Sequence, residues 1–153
     1  LVSVDETGTV KAKKIGSAKI TAKTDSGIKL TRYVRVKLKT PTSVKAVKTS
    51  GSTKSYKYSN VKVTWKKNSS AVKYYIYRRR LGKSKYTKIA TTTTNKFINY
   101  NVKKGRTYYY KIVAVYSSSL CNSYKSPAAK IKLQEECTKE HNKNLYKQTC
   151  CIF

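Results

Sequence analysis

Cys137, His141, Cys150 and Cys151 are the side chains with the most specific chemistry on offer, since thiolates and an imidazole can hold zinc. Their spacing matches no structural zinc signature, so the sequence assigns no metal and no cofactor. An oxidised C-terminal end would instead pair Cys137 with Cys150 or Cys151. General acid–base catalysis needs two groups within reach of one bond. Before residue 134 the only carboxylates are Asp5, Glu6 and Asp25. Asp5 and Glu6 are adjacent, so strand geometry sends them to opposite faces. No catalytic residue is assigned, and the chain is not read as an enzyme.

The remaining chemistry is aromatic and cationic. Residues 74–80 read YYIYRRR and residues 105–116 read GRTYYYKIVAVY. Rings beside cations could stack on single-stranded nucleic acid or form a sugar platform. Most of the charge is lysine, a point charge that does not read bases with two parallel bonds as arginine does. No specific nucleic-acid partner is therefore expected. Tyr75, Tyr77, Tyr109 and Arg79 are the candidate ligand surface, for carbohydrate or for an anionic polymer.

Charge bounds the partners. The 153 residues hold 35 Lys+Arg against 6 Asp+Glu, a formal charge of +29, which draws anions such as nucleic acid, wall polymer or acidic membrane. Glu135, Glu136 and Glu140 offset Lys139, Lys143 and Lys147, so the segment from Gln134 is neutral and the body before it carries the whole +29. That break sets a boundary near Leu133, and the tail is expected to be poorly ordered and dispensable. Methionine is absent and Leu1 comes first, which fits a fragment or processed chain with any signal peptide upstream. No apolar run approaches the roughly 20 residues of a membrane-spanning helix.

The elements that must position these groups are strands. Val61, Val63 and Trp65 alternate with Lys62, Thr64 and Lys66; Tyr74 and Ile76 alternate with Tyr75 and Tyr77; Tyr108, Tyr110, Ile112 and Ala114 share one face. Period 2 in β-branched and aromatic residues means half-buried strands. Turn-like clusters separate them at Ser50-Gly51-Ser52, Asn68-Ser69-Ser70, Leu81-Gly82-Lys83 and Lys103-Lys104-Gly105. The expected fold class is all-β, an antiparallel sandwich. Trp65, Tyr74, Ile76, Tyr108, Tyr110 and Ile112 are its expected core. Lysines at Lys11, Lys13, Lys37, Lys39, Lys62 and Lys66 take outward positions, spread over the sheets and not gathered beside a groove. Cys121 is placed in the loop before the last strand, too far from Cys137 to bridge.

Residues 41–133 resemble a fibronectin type III domain. PTSVKAV is similar to its first strand, VKVTWKK to its second and KYYIYRR to its third; YTKIATTTTNKFINY covers the middle strands and YKSPAAKIKL the last. NVKKGRTYYYKIVAVY resembles the family's leucine–proline–glycine–tyrosine stretch, with Val102 for the leucine and Lys104 for the proline. The resemblance makes Tyr108 the tyrosine corner, whose hydroxyl bonds back to the backbone. Residues 1–38 resemble the C-terminal half of a bacterial immunoglobulin-like group 2 domain, through Val4, Asp5, Gly8, Val10, Gly16, Ala18, Ile20 and Ala22.

Together these resemblances imply tandem immunoglobulin-like β-sandwiches, the first incomplete. The domains are 1–39, 40–133 and an atypical tail, 134–153. They imply a Gram-positive, extracellular or cell-surface chain acting as a non-catalytic spacer, display or adhesion module beside neighbouring domains of its parent. The alternative is an accessory module of a carbohydrate-active enzyme that binds carbohydrate or anionic polymer. The terminal CCIF formally fits a prenylation box, but bacteria of this kind lack that processing, and a truncated or frame-shifted end explains the tail as well.

Overall fold

The computed structural model describes residues 1–49 and 57–135. The turn cluster at 50–52, the tail from residue 136 and its cysteines and histidine lie outside the described residues. Among the described residues the chain is all-β, with one short 3-10 turn at Ser119–Cys121.

Two hairpins come first. β1 (Val2–Val4) pairs antiparallel with β2 (Val10–Ala12). The turn between them is held by Asp5, whose carboxylate accepts from the Thr7 amide (3.2 Å), the Thr7 hydroxyl (2.6 Å) and the Thr9 amide (2.9 Å). The Thr7 hydroxyl, then the Thr9 amide, hold the Asp5 carboxyl below its ordinary range. Asp5 is thus a turn lock, in the manner of short polar side chains that cap their own backbone. β3 (Gly16–Lys23) pairs with β4 (Lys29–Val36) over eight positions. Period 2 puts Ala18, Ile20, Ala22, Leu30, Val34 and Val36 on one side of that hairpin, yet Leu30 stays 54% exposed.

The sandwich follows. β5 (Lys45–Thr49), β6 (Tyr58–Thr64) and β9 (Lys96–Lys103) form a three-stranded sheet in the order β5-β6-β9. β7 (Lys73–Arg80), β8 (Thr87–Thr92), β10 (Arg106–Val115) and β11 (Ala129–Leu133) form a four-stranded sheet in the order β11-β10-β7-β8. All pairings are antiparallel. The core lies between the sheets: Val61, Val63, Trp65 and Val102 from one side, Tyr74, Ile76, Tyr108, Tyr110, Ile112 and Ala114 from the other. The hairpins join it through Leu38, a core residue whose amide donates to the Cys121 carbonyl (2.9 Å), with Ile15 packed alongside. Cys121 is fully buried at this junction.

Three tyrosines bury their rings and spend their hydroxyls on bonds that close the sandwich, as buried phenols must. Tyr74 Oη accepts from the Asn68 amide (2.8 Å) and donates to the Asn68 carbonyl, pinning the β6–β7 turn. Tyr108 donates to the Lys103 carbonyl (3.1 Å), tying β10 to the end of β9 across the two sheets. Between them the chain reverses at Gly105, whose φ of 70° is one that a side chain would strain. Tyr110 Oη accepts from Asn99 Nδ2 (2.9 Å), a bond between the sheets through the core.

Burial holds the Tyr110 phenol above its ordinary value of 10.0, against the opposing pull of Asn99 and Arg78. With the folded value raised, stability is full below pH 10 and falls as pH rises, because the unfolded chain loses that proton first. Stability is expected to drop above about pH 10, and Tyr110→Phe to flatten that slope. Denaturant melts between pH 9 and pH 11.5 measure it; an unchanged slope in the variant would assign alkaline unfolding to other groups.

Candidate functional site: a tyrosine–cation sheet face

The same alternation that turns Tyr74 and Ile76 inward turns Tyr75, Tyr77 and Arg79 to the outer face of the four-stranded sheet. On β10 the outward positions are Tyr109, Lys111 and Val113. Register then sets rings against cations: Tyr109 lies opposite Arg79 on β7 and Lys130 on β11, and Tyr77 opposite Lys111 on β10 and Lys88 on β8. Directly opposed residues have Cβ atoms about 4.5–5.5 Å apart, so long side chains reach the neighbouring ring.

Arg79 and Tyr109 meet as a directly opposed pair, while the other cations reach rings diagonally across the sheet or from the flanking loops. The Arg79 guanidinium sits 4.4 Å from the Tyr109 ring centre and 5.3 Å from that of Tyr86 in the β7–β8 turn. Lys88 Nζ lies 4.4 Å over Tyr75, Lys125 Nζ 4.7 Å over Tyr77, and Lys111 Nζ 5.1 Å over Tyr86. Arg79 is also fixed by donating to the Lys83 carbonyl (2.8 Å). Each such contact contributes about 0.5–1 kcal/mol at an exposed site. Their larger effect is orientation: the cations are held over the face and not left to wander.

The sugar-platform reading needed bare rings. Tyr75, Tyr77 and Tyr109 are only partly exposed, with ammonium or guanidinium groups over them. Stacking on a neutral sugar would have to displace those cations. Of the described carboxylates, Asp5, Glu6 and Asp25 belong to the hairpins and Glu135 follows β11, so none lies opposite this face. Among the described residues the face therefore carries positive charge without an opposing negative one.

The expectation of evenly spread charge needs one correction. At the end of the sandwich several cations do gather around a single cavity, because β7 carries Arg78 and Arg80 inward beyond the last core residue. Sequence reasoning also missed Tyr86 and Lys125. Both stand in turns, where no periodicity announces which way a side chain points.

An all-β antiparallel sandwich with a three- and a four-stranded sheet is the fibronectin type III and immunoglobulin-like fold. Solved structures are similar to it. A Fn3-like protein from Clostridium thermocellum is 26% identical, with a TM-score of 0.50, over 61% of this chain and 90% of that one. Domains A168-A170 from titin match at 15% identity and TM-score 0.52, over 88% of this chain and 49% of that one. The titin kinase with its flanking domains matches at 12% identity and TM-score 0.52, this chain spanning 18% of its length. These last two likenesses are of fold alone. Neither a family model nor a curated protein matches the chain.

Proposed function

We propose that the chain is a non-catalytic spacer or display segment of a multidomain bacterial protein, secreted or at the cell surface, whose four-stranded sheet holds it against anionic wall polymer. In this reading residues 1–39 are the C-terminal half of a bacterial immunoglobulin-like group 2 domain, 40–133 a fibronectin type III domain and 134–153 an appended tail. The likeness to a bacterial Fn3-like protein supports the setting. The observation that carries the ligand class is the outer sheet face, where cations lie over Tyr75, Tyr77 and Tyr109 with no described carboxylate opposite them. An accessory role beside a carbohydrate-active enzyme uses the same face, provided the carbohydrate is anionic.

Binding that rests on charge releases counterions, so affinity falls with salt. A face neutralising 6–10 phosphates loses about 10³–10⁵ in affinity between 50 mM and 200 mM salt. Labelled teichoic acid titrated at several salt concentrations is expected to show a steep fall and competition by heparin and DNA without sequence preference. Arg79→Gln with Lys88→Gln is expected to reduce the slope. Binding that persists at high salt, or that selects one neutral sugar, overturns the electrostatic reading.

A further inference from the structure

At one end of the sandwich the sheets part between edge strands β8 and β9, leaving a cavity of about 390 Å³. Among the described residues seven basic side chains line it, and no acidic one. The alternation of β7 explains the arginines. Tyr74 and Ile76 point into the core, and the same parity continues to Arg78 and Arg80 after the apolar residues have run out. Lys103 comes from the end of β9 on the opposite sheet and Arg106 from the start of β10, while Lys83 and Lys85 close the side from the β7–β8 turn. Arg78 is held in place over the Tyr108 ring, 5.4 Å from its centre.

Like charges converging from both sheets repel one another, and among the described residues no carboxylate lines the cavity; the Glu135 carboxylate lies outside it, against Gly105. A cation cluster of this kind concentrates a multivalent anion. Guanidinium forks match tetrahedral oxyanions with paired bonds, and the lysines add point charges. The volume falls in the range of about 300–1,000 Å³ typical of small-molecule sites, above that of a simple ion.

We propose that this cavity is a discrete binding site for a compact phosphate-bearing group carrying at least two negative charges, taken free or as the end of a phosphorylated polymer. It is separate from the outer sheet face, and only Arg79 borders both.

Inorganic pyrophosphate is the probe, titrated against the whole chain at constant ionic strength, with binding followed by calorimetry and amide chemical shifts. One-to-one saturation is expected, with shifts confined to the segments around Arg80, Lys103 and Arg106. Arg80→Gln with Lys103→Gln, both exposed side chains, is expected to weaken binding at least tenfold, while Arg80→Lys retains part of it. Lys88→Gln, on the outer face, leaves pyrophosphate binding unchanged while lowering polymer binding, so failure of the one reading is distinguishable from failure of the other. A phosphorylated oligomer binding more tightly than pyrophosphate at the same residues marks a polymer end as the source; equal binding marks the free anion. Non-saturating shifts, or equal losses from Lys88→Gln and from the cavity pair, overturn the site in favour of diffuse charge.

Discussion

Trp65→Ala is expected to lower the stability of the sandwich by about 3–5 kcal/mol, the usual cost of truncating a large core aromatic. Trp65 is 3% exposed and meets Tyr74 edge-to-face, with ring centres 5.2 Å apart and planes at 65°. The position follows from the chain. Its amide donates to the Asn95 carbonyl (3.2 Å) and its carbonyl accepts from Asn95 Nδ2 (3.0 Å), so the backbone is clamped just after β6 and the indole is driven inward. Truncation empties the space between the sheets and removes the partner of the ring whose hydroxyl pins the β6–β7 turn. For a domain of 60–100 residues each kcal/mol moves the melting temperature by about 4–8 °C, so a fall of more than about 12 °C is expected. Trp65→Phe keeps an aromatic edge against Tyr74 and is expected to cost less. Because Trp65 is the single tryptophan, native fluorescence reports it alone: blue-shifted emission is expected, and a red-shifted native spectrum or a melt within 3 °C of wild type contradicts the packing.

What the sequence made legible is what period 2 controls. Strand parity is local and strict, so the alternation in Val61-Lys62-Val63 and in Tyr108 to Ala114 separates inner from outer faces without knowledge of the partner strand; Val61, Val63, Tyr110, Ile112 and Ala114 are all 0% exposed. Parity also puts Tyr75, Tyr77, Arg79 and Tyr109 on one outer face. It says nothing of rotamers, and so it did not show that the cations would lie over the rings. Nor did it stop where the core stops. Arg78 and Arg80 obey the same alternation as Ile76, but on β7 itself the apolar residues end before them, with Tyr110 and Tyr108 of the core opposite on β10, and only the three-dimensional end of the sandwich turns two polar inward positions into a cavity wall. The least legible feature was the edge of β10. Its pairing with β11 covers only Arg106 to Tyr110, and the sequence reading that began the last strand at Tyr124, in YKSPAAKIKL, is corrected: β11 starts at Ala129, and residues 122–128 form a loop.

That loop satisfies the rest of β10 with side chains, and breaking it is expected to have the second large effect. β10 continues to Val115 after β11 has left it. On the open side, the Ile112 amide donates to Ser126 Oγ (2.9 Å), the Ala114 amide to Ser123 Oγ (2.8 Å) and the Tyr116 amide to Asn122 Oδ1 (2.9 Å). The loop's own amides return the bonds, Ser126 to the Ile112 carbonyl and Ser123 to the Ala114 carbonyl, each at 2.9 Å. Each hydroxyl then donates onward, Ser123 to the Tyr124 carbonyl and Ser126 to the Pro127 carbonyl. Two serines thus stand in for the missing stretch of strand, and they are buried at 7% and 1% exposure because they complete a ladder in the interior. Removing a hydroxyl strands a buried amide, which costs about 1–3 kcal/mol. Ser123→Ala with Ser126→Ala is therefore expected to destabilise by about 2–6 kcal/mol if the two add, while Tyr124→Ala, at an exposed ring in the same loop, changes little. Amide exchange supplies the specific readout. Ile112 and Ala114 are expected to lose protection in the double variant more than Tyr110, which still faces β11. Uniform loss along β10, or none, would show that the serines pack the loop without holding the strand.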